Sequence, residues 1–237
     1  MTLGAILKRE DPRDAVILKK DLHDRHFSLE SLPKGSVIGT GSVRRVAQLR
    51  RRFPHLVFQD VRGNIDTRLA KLDDASSPYC ALILAHAGLT RINRADRVSQ
   101  TLSDDSILYA VGQGAICIES RADDRDVAAV VSTLEHLDTA LRCIAERAFM
   151  RGLEGGCSVP LGVWSELAVI GGSKARLLLK GNVCSVDGAK EVRGDIVGEI
   201  DLRDADKAKS VAEQMGHDLS LKLVELGAQN ILKEIRA

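Results

Sequence analysis

The sequence predicts an α/β domain followed by a C-terminal α+β domain. From residue 14 to residue 92, short apolar runs alternate with amphipathic segments, which is typical of helices packed on a partly parallel sheet. After about residue 135, a long amphipathic segment precedes several strand-like runs and a second amphipathic segment. The chain has 237 residues, 44% of them hydrophobic, which suffices for two or three small domains.

Four apolar runs and two amphipathic segments are the candidate elements of the α/β domain. Residues 42–53 form the first predicted helix, which ends before Pro54 because proline cannot continue a helical hydrogen-bond ladder. The second helix carries Ile65, Leu69 and Leu72 on one side, at the spacing of a buried stripe. The predicted strands are residues 15–18, 37–39, 56–61 and 81–85.

The segment 107–119 is an apolar run interrupted by Gly112-Gln113-Gly114. Glycines on both sides of a polar residue indicate either a bulge that brings Gln113 towards a ligand or a plain turn between two buried strands. Both interpretations fit the residues.

The C-terminal domain begins with a predicted helix whose apolar face includes Leu137, Leu141 and Phe149. Strands are expected at 159–164, 177–185 and 195–200, and a last helix at about 207–226 ends at Gly227. The predicted domain limits are 1–111 for the α/β domain, 112–135 for a connecting segment and 136–237 for the α+β domain.

Composition argues against several classes of function. The formal charge is +1, with 34 basic and 33 acidic residues, and aromatic residues make up 3%, so nucleic-acid binding is not expected. No apolar run has the length of a membrane span or the form of a secretion signal, which predicts a cytoplasmic protein. The five cysteines and six histidines are scattered, so neither a disulfide framework nor a metal site is expected.

Three loops should lie side by side at the carboxyl ends of the predicted strands, where ligands of such sheets bind: 39–45, 62–64 and 85–89. Arg44 and Arg45 fall in the first turn of a helix, where a cation is unfavourable unless an anion binds there. With Arg62 and Arg68 they predict a cationic rim that binds an anion. The alternative, that the arginines only extend over a solvated surface, is preferred for the run 50–52.

Cys157 stands apart from the other four cysteines. It follows Gly155-Gly156, which can end the preceding helix and leave the thiol on a loop. Cys80, Cys117, Cys143 and Cys184 have apolar neighbours and are expected to be inert. No histidine that could act as a base is near Cys157 in the sequence, so it fits an attachment point better than a catalytic nucleophile.

Five blocks together resemble the porphobilinogen deaminase family, also called hydroxymethylbilane synthase, in the order in which the family has them. They are residues 39–49, 61–68, 85–91, 110–115 and 153–160, the last containing the Leu-Glu-Gly-Gly-Cys-Ser-Val-Pro sequence. The resemblance implies a periplasmic-binding-protein-like α/β domain with a C-terminal α+β domain. It also implies a transferase of porphyrin and haem biosynthesis that joins four porphobilinogen molecules into hydroxymethylbilane and releases ammonia.

The resemblance also implies a dipyrromethane cofactor, joined covalently to the cysteine that Cys157 matches. The carboxylates of the cofactor and of porphobilinogen would be held by forked guanidinium groups. By motif position, the implied cofactor-binding residues are Cys157, Arg44, Arg45, Ser42, Thr40 and Gln113, and the implied substrate-binding residues are Arg62, Arg68 and Ala85.

The catalytic residue is unknown, because the family's acid/base aspartate precedes the part of the family that this chain matches from Gly4 onwards. Most of the family's first domain is accordingly expected to be missing, and residues 112–135 are expected to be its remnant. The strand in this remnant would expose an apolar edge. Members of the family are usually monomers, but this edge would allow the chain to associate. Besides the deaminase, the alternatives are an inactive truncated form, a non-catalytic pyrrole-binding or anion-binding protein, and an anion-binding module unrelated to pyrroles.

Overall fold

The computed structural model describes residues 1–23, 27–156 and 159–236, and of His23 only the backbone. This part of the chain forms three sheets surrounded by helices. The strands are β1 (Thr2–Ile6), β2 (Asp14–Leu18), β3 (Val37–Gly39), β4 (Val57–Gln59), β5 (Tyr79–Ala85), β6 (Gln100–Thr101), β7 (Cys117–Ser120), β8 (Leu161–Gly171), β9 (Lys174–Cys184) and β10 (Glu191–Asp201). The helices are α1 (Lys20–His23), α2 (Val43–Arg52), α3 (Ile65–Asp73), α4 (His86–Arg91), α5 (Arg125–Ser132), α6 (Leu137–Gly152), α7 (Ala205–Glu225) and α8 (Ala228–Arg236), with a short 3-10 helix at Ala95–Arg97.

The first sheet has five strands in the order β4-β3-β5-β2-β6. Strand β3 runs parallel to β4 and β5, whereas β2 is antiparallel to both β5 and β6. All four predicted strands are present, β5 starts two residues earlier than expected, and the partly parallel sheet is confirmed.

Strand β2 is buried on both faces because helices cover both sides of the sheet. Val16 and Leu18 belong to a core cluster with Leu49 and Phe53 from the region of α2. The alternate side chains Ala15 and Ile17 belong to a second cluster with residues of α3 and α4. The period of two in the strand therefore divides one apolar run between two cores.

The C-terminal unit is a meander of three antiparallel strands, β10-β9-β8, against which α6 and α7 pack. The strands are longer than predicted, at 11 residues each. Helix α7 ends before Gly227, whose φ of 101° is the left-handed conformation expected of a residue that ends a helix. The sequence interpretation missed α8, which follows directly and adds Ile231 and Leu232 to the core.

Helices α6 and α7 approach closely at Gly216. A Cβ atom added there would lie 2.7 Å from the Cβ of Ala148 and 2.9 Å from the backbone nitrogen of Phe149. Only glycine allows this approach, because these atoms belong to the neighbouring helix and cannot rotate away.

We expect the substitution Gly216→Ala to lower the free energy of unfolding by about 2 kcal/mol, since it overfills a close helix contact. Urea unfolding followed by circular dichroism measures this change. Gln214→Ala, on the exposed side of the same helix, is the control and should stay within about 0.5 kcal/mol of the unaltered protein. Equal stability of the two variants would contradict the close contact.

The segment 107–119 contains a turn at 111–114, as the second interpretation has it. The turn does not join two buried strands, however, because residues 107–110 form only an isolated bridge at Tyr109 and β7 is partly exposed. Gly112 and Gly114 have φ of 70° and 82°, a region that favours glycine. After the turn, β7 pairs in antiparallel fashion with β1, so that Thr2 lies opposite Ser120.

The expected apolar surface near residues 112–135 is present in part. One edge of β7 is paired with β1. The two strands form a sheet of their own, separate from the five-stranded sheet. Helix α5, however, has no buried residue, and Val130 is 69% exposed. The domain limits at 111 and 135 stay a prediction, and β1 associates with the segment between them.

Polar side chains of the loop after β6 and of α2 contact the C-terminal meander. Arg193 donates to the carbonyl of Asp104 at 2.9 Å, and Lys180 forms an ion pair with the side chain of Asp104. Arg51, in the run expected to lie on a solvated surface, donates to the carbonyl of Ala189 at 3.1 Å. These contacts fix the position of the meander beside α2.

Candidate functional site

A buried cluster of charged side chains lies where the strand ends of the α/β sheet meet. Helix α2 follows β3, and its first turn points Arg44 and Arg45 inwards. Strand β2 is antiparallel to β5, so its first residue, Asp14, lies opposite Ala85 at the last residue of β5. The antiparallel direction of one strand therefore brings a carboxylate to the edge where the parallel strands end.

Asp14 binds both guanidinium groups. Nη1 of Arg44 donates to Oδ2 of Asp14 at 2.7 Å, and Nε of Arg45 donates to Oδ1 at 3.0 Å. Each arginine also donates to a backbone carbonyl, Arg44 to Leu108 at 2.7 Å and Arg45 to Ile83 at 2.9 Å. Two guanidinium groups and one carboxylate leave the cluster with one net positive charge.

The burial of this cluster corrects the expectation of a cationic rim. Arg44 is 5% exposed and Arg45 is 8% exposed, because both side chains extend under the loop towards Asp14 instead of outwards into solvent. The sequence interpretation did not identify Asp14. Its one signal in the sequence was a lone carboxylate at the start of an entirely apolar strand.

Two opposite effects act on the pKa values in this cluster: desolvation disfavours the charged forms, and ion pairing favours them. Burial by itself would raise the pKa of Asp14, but Arg44 and Arg45 reverse that effect and lower the pKa to about 2. Burial lowers the pKa of Arg44, and Asp14 offsets this effect in part. Arginine nevertheless stays protonated in proteins, so the cluster is ionised at neutral pH.

Gln113 completes the cluster from the turn at 111–114. Its side-chain nitrogen donates to Oδ1 of Asp14 at 2.9 Å and to the carbonyl of Pro12 at 2.6 Å. Its side-chain oxygen accepts from Nη2 of Arg44 at 3.4 Å. A plain turn thus still brings Gln113 to the arginines.

The other residues of the first loop lie beside the cluster. Thr40 is buried, and its side-chain oxygen accepts from the backbone N–H of Ser42 at 3.4 Å. Ser42 caps α2 by accepting from the backbone N–H of Arg45 at 3.4 Å. Ala85 immediately precedes α4 and pairs with Asp14 in the sheet.

Arg62 and Arg68 lie outside the buried cluster, on the loop after β4 and on α3. Arg62 is exposed and pairs with Asp60 at 2.7 Å, while Nε of Arg68 donates to the carbonyl of Gly63 at 2.7 Å. The expected neighbouring loops do adjoin, since a Cβ atom on Gly41 would lie 3.4 Å from Nε of Arg62. The structure therefore divides the four arginines into a buried pair and a more exposed pair.

A second buried ion pair, missed in the sequence, lies between Arg9 and Glu146. Nη1 and Nη2 of Arg9 donate to the two carboxylate oxygens of Glu146 at 2.6 and 3.1 Å, and the guanidinium lies 4.9 Å from the ring centre of Tyr109. Burial works against the charge of Arg9, but Glu146 raises its pKa above the ordinary value. Glu146 lies beside the apolar stripe of α6 and not within it, so periodicity gave no signal.

The predicted cofactor anchor, Cys157, lies outside the described residues. Helix α6 ends at Gly152, three residues before the predicted Gly155-Gly156 stop, and Glu154 has a left-handed φ of 50°. After Cys157, the backbone N–H of Val159 donates to the carbonyl of Gly156 at 3.0 Å.

Of the four described cysteines, Cys143 and Cys184 are buried, Cys80 is half-buried and Cys117 is exposed. The expectation that Cys117 is inert is not supported, because its side chain is exposed on the two-stranded sheet of β1 and β7. Burial, with a smaller contribution from Glu146, raises the pKa of Cys143 to about 11. Burial and Glu191 raise the pKa of Cys184 to about 12.

Among the four described cysteines, we expect iodoacetamide at pH 8 to alkylate Cys117 first and to leave Cys143 and Cys184 unmodified in the folded protein, since the thiolate is the reactive species. Peptide mass spectrometry after brief labelling measures the order. Labelling in 6 M guanidinium chloride is the control, in which Cys143 and Cys184 should react as fast as Cys117. Early alkylation of Cys143 in the folded protein would contradict its burial.

In residues 1–23, 27–156 and 159–236, no group of three or more histidine, cysteine, aspartate or glutamate side chains is placed to hold a metal ion. Among the helices described, none is long and apolar enough to cross a bilayer.

Comparison with protein families gives two matches that together cover most of the chain. The model described as porphobilinogen deaminase, dipyromethane cofactor binding domain, matches residues 1–129. The model described as porphobilinogen deaminase, C-terminal domain, matches residues 140–225. The cofactor implied by the sequence motifs is therefore confirmed at the level of the family.

Curated proteins named porphobilinogen deaminase align along the whole chain. The protein from Nostoc sp. is 48% identical over 237 residues, which cover 100% of this chain and 68% of the relative. The protein from Synechococcus elongatus is 47% identical, with 100% of this chain and 68% of the relative covered. One from Prochlorococcus marinus strain NATL2A is also 47% identical and covers 99% of this chain and 69% of the relative. The chain belongs to the porphobilinogen deaminase family of transferases.

Proposed function

We propose that this chain acts as a hydroxymethylbilane synthase, which joins four porphobilinogen molecules head to tail and releases one ammonia for each. The observation that carries the proposal is the buried cluster of Asp14, Arg44, Arg45 and Gln113 at the strand ends. Porphobilinogen and its oligomers carry acetate and propionate groups, so the ligand to be recognised is a polyanion. A buried cluster with net positive charge suits such a ligand.

The hydrogen bonds of the cluster leave donors for a ligand carboxylate. Among the described residues, Nε of Arg44 has no acceptor, and each Nη of Arg45 keeps one N–H beyond its contact with Asp14 or Ile83. Asp14 fixes the planes of both guanidinium groups before a ligand arrives. Preorganised donors bind with less loss of side-chain entropy than mobile ones.

The same donors fit the dipyrromethane cofactor. The dipyrrole, when bound, supplies the primer from which the pyrrole chain is extended. We assign the covalent attachment of the dipyrrole to Cys157 and the binding of its carboxylates to the buried cluster. The proposed contacts are Arg44, Arg45, Ser42, Thr40 and Gln113 for the cofactor, and Arg62, Arg68 and Ala85 for incoming porphobilinogen.

The positions of Arg62, which is exposed, and of Arg68, which is half-buried, support this division of roles. A cofactor that stays on the protein can be held by buried groups, whereas each new substrate molecule must reach its partners from solvent. Arg62, on the loop next to Gly41, is mostly exposed and adjoins the buried cluster. Arginine there can still form a two-pronged contact with an arriving carboxylate.

Intact-mass spectrometry of the purified chain tests the cofactor assignment. We expect an added mass of dipyrrole size that is absent from Cys157→Ser and present in the matched control Cys117→Ser, which removes a different exposed thiol. An adduct that persists in Cys157→Ser would overturn the assignment to Cys157. A complete absence of adduct after incubation with porphobilinogen would overturn the pyrrole function.

One observation favours a second candidate, a non-catalytic pyrrole-binding or anion-binding protein. Arg44 and Arg45 stay protonated, and the hydroxyl and amide contacts do not titrate near neutral pH, so the assigned contacts can hold an anion but supply no acid or base. Consumption of porphobilinogen with release of ammonia separates the two candidates. Turnover that Arg45→Leu abolishes supports the synthase, and binding without turnover supports the second candidate.

A further inference from the structure

The carboxylate of Glu146 is fully buried and collects hydrogen bonds from several parts of the chain. Arg9 binds it with both terminal nitrogens, and the hydroxyl of Ser165 donates to Oε1 at 2.6 Å. The backbone N–H of Gly112 donates to Oε2 at 2.8 Å. Helix α6 thereby contacts the turn at 111–114 through a charge-assisted bond.

The turn is held from a second direction by the same ion pair. Nε of Arg9 donates to the backbone carbonyl of Gln113 at 2.7 Å. The peptide group before the Gly112 Cα and the peptide group after the Gln113 Cα are therefore both bonded to the Arg9–Glu146 pair. This leaves the Gln113 side chain pointing to the opposite side, where it meets Asp14 and Arg44.

The sequence of the turn makes external support necessary. Gly112 and Gly114 flank Gln113, and both adopt positive φ. Glycine has the widest choice of backbone conformations, so a Gly-Gln-Gly turn does not fix the direction of its central side chain by itself. Bonds to the peptide groups on either side of the Gly112-Gln113 pair restrict that choice.

We propose that Glu146 is a positioning residue for the anion-binding cluster: it fixes the turn at 111–114 and so places the Gln113 amide on Asp14 and Arg44. The part of this inference that concerns ligand binding rests on the proposed function. Glu146 touches no ligand contact directly and acts through Gln113. The consequence is an energetic coupling between α6, which precedes Cys157 in the chain, and the buried arginines.

The substitution Glu146→Gln tests the structural part without any ligand. The amide NH₂ group replaces one acceptor oxygen. At the Oε2 position it faces the Gly112 N–H, and at the Oε1 position it faces Arg9, which holds the Gln113 carbonyl, so the support of the turn weakens in either orientation. Nitrogen-15 spectra of the glutamine side chains report the outcome, with Gln113 identified by its disappearance in Gln113→Leu. We expect its NH₂ protons to exchange with solvent about tenfold faster or more in Glu146→Gln.

The same spectrum contains an internal control. Gln48 is also buried, accepting from the N–H of Leu108 at 2.8 Å and donating to its carbonyl at 3.0 Å, and it has no bond to Glu146. Its signal should be unchanged. Ser165→Ala, which removes a different bond to the same carboxylate, should leave the Gln113 signal unchanged as well. If Gln113 keeps its slow exchange in a folded Glu146→Gln protein, the proposal is wrong.

The charge-conserving variant Glu146→Asp covers the case in which Glu146→Gln does not fold. Its carboxylate is one methylene shorter and keeps the charge opposite Arg9, but it no longer reaches both Arg9 and the Gly112 N–H. We expect faster exchange of Gln113 than in the unaltered protein, with Gln48 unaffected. A folded Glu146→Asp protein with an unchanged Gln113 signal would equally contradict the proposal.

A double-mutant cycle on the rate of dipyrrole loading tests the functional part, because Gln113 is a proposed cofactor contact. Intact mass measured at intervals after porphobilinogen is added gives this rate. We expect Glu146→Gln to slow loading about fivefold in the unaltered background and to have no further effect in Gln113→Leu. Equal effects in both backgrounds would show that Glu146 does not act through Gln113. If the unaltered protein is not loaded, the proposed function fails, while the exchange measurement still decides whether Glu146 positions Gln113.

Discussion

Asp14→Asn is expected to lower the free energy of unfolding by about 3–5 kcal/mol, because it leaves two buried guanidinium groups without a counter-charge. Arg44 and Arg45 both bind the Asp14 carboxylate, and both are almost completely buried. Asparagine can still accept a hydrogen bond at one oxygen, but it carries no charge. Urea unfolding at pH 7 measures the difference.

Asp60→Asn is the matched control for this substitution. It removes the same charge from an ion pair with Arg62 whose side chains are 74% and 55% exposed. Exposed pairs contribute about 1 kcal/mol or less, so the control should remain close to the unaltered protein. A similar loss of stability in both variants would show that burial of the Asp14 pair is not what stabilises the fold.

The pH dependence of stability gives a second measurement on the same residue. The pKa of Asp14 is lowered from 3.8 to about 2 in the folded protein. A carboxylate with a depressed pKa contributes stability above its unfolded pKa, and that contribution is lost as the pH falls through the folded value. The unaltered protein should therefore lose stability between about pH 4 and pH 2 more steeply than Asp14→Asn. Parallel curves would exclude Asp14 as a source of this dependence.

Arg9→Met is expected to destabilise the protein by about 3–5 kcal/mol, because the carboxylate of Glu146 stays buried and loses its positive partner. The substitution also removes the contact with the Tyr109 ring and the hydrogen bond to the carbonyl of Gln113. Methionine keeps most of the apolar length of the arginine side chain, so the lost charge dominates the effect. Thermal and urea unfolding both report it.

Arg13→Met provides the comparison within the same segment. Arg13 pairs with Asp11 at 2.6 Å, but its side chain is 43% exposed, so we expect a change of about 1 kcal/mol or less. Near-equal stabilities of Arg9→Met and Arg13→Met would mean that the Arg9–Glu146 pair contributes little beyond a surface pair.

The buried charges explain which parts of the site the sequence could predict. The loops after β3, β4 and β5 were expected at one edge of the sheet from apolar runs and glycines alone, and the close approach of Gly41 to Arg62 agrees with that expectation. Whether Arg44 points into solvent or under the loop was not predictable. That choice depends on Asp14, which precedes Arg44 by 30 residues.

At helix ends and turns, too, the sequence predicts only what local residues determine. Ser42 was placed at the start of α2 by its local sequence, and it caps that helix. Gly112-Gln113-Gly114 left a bulge and a turn equally open, because glycine permits both. The turn is supported by Glu146, more than thirty residues away, through a bond that no local pattern indicates.

The sequence by itself determined the α/β and α+β units, the order of most strands and helices, and membership of the porphobilinogen deaminase family, because periodicity and short motifs are local properties of the chain. The tertiary structure alone decided that Arg44 and Arg45 pair with Asp14, that Arg9 pairs with Glu146, and that both pairs meet at Gln113. Desolvated charges require counter-charges, and folding supplies these from strands and helices that are distant in sequence.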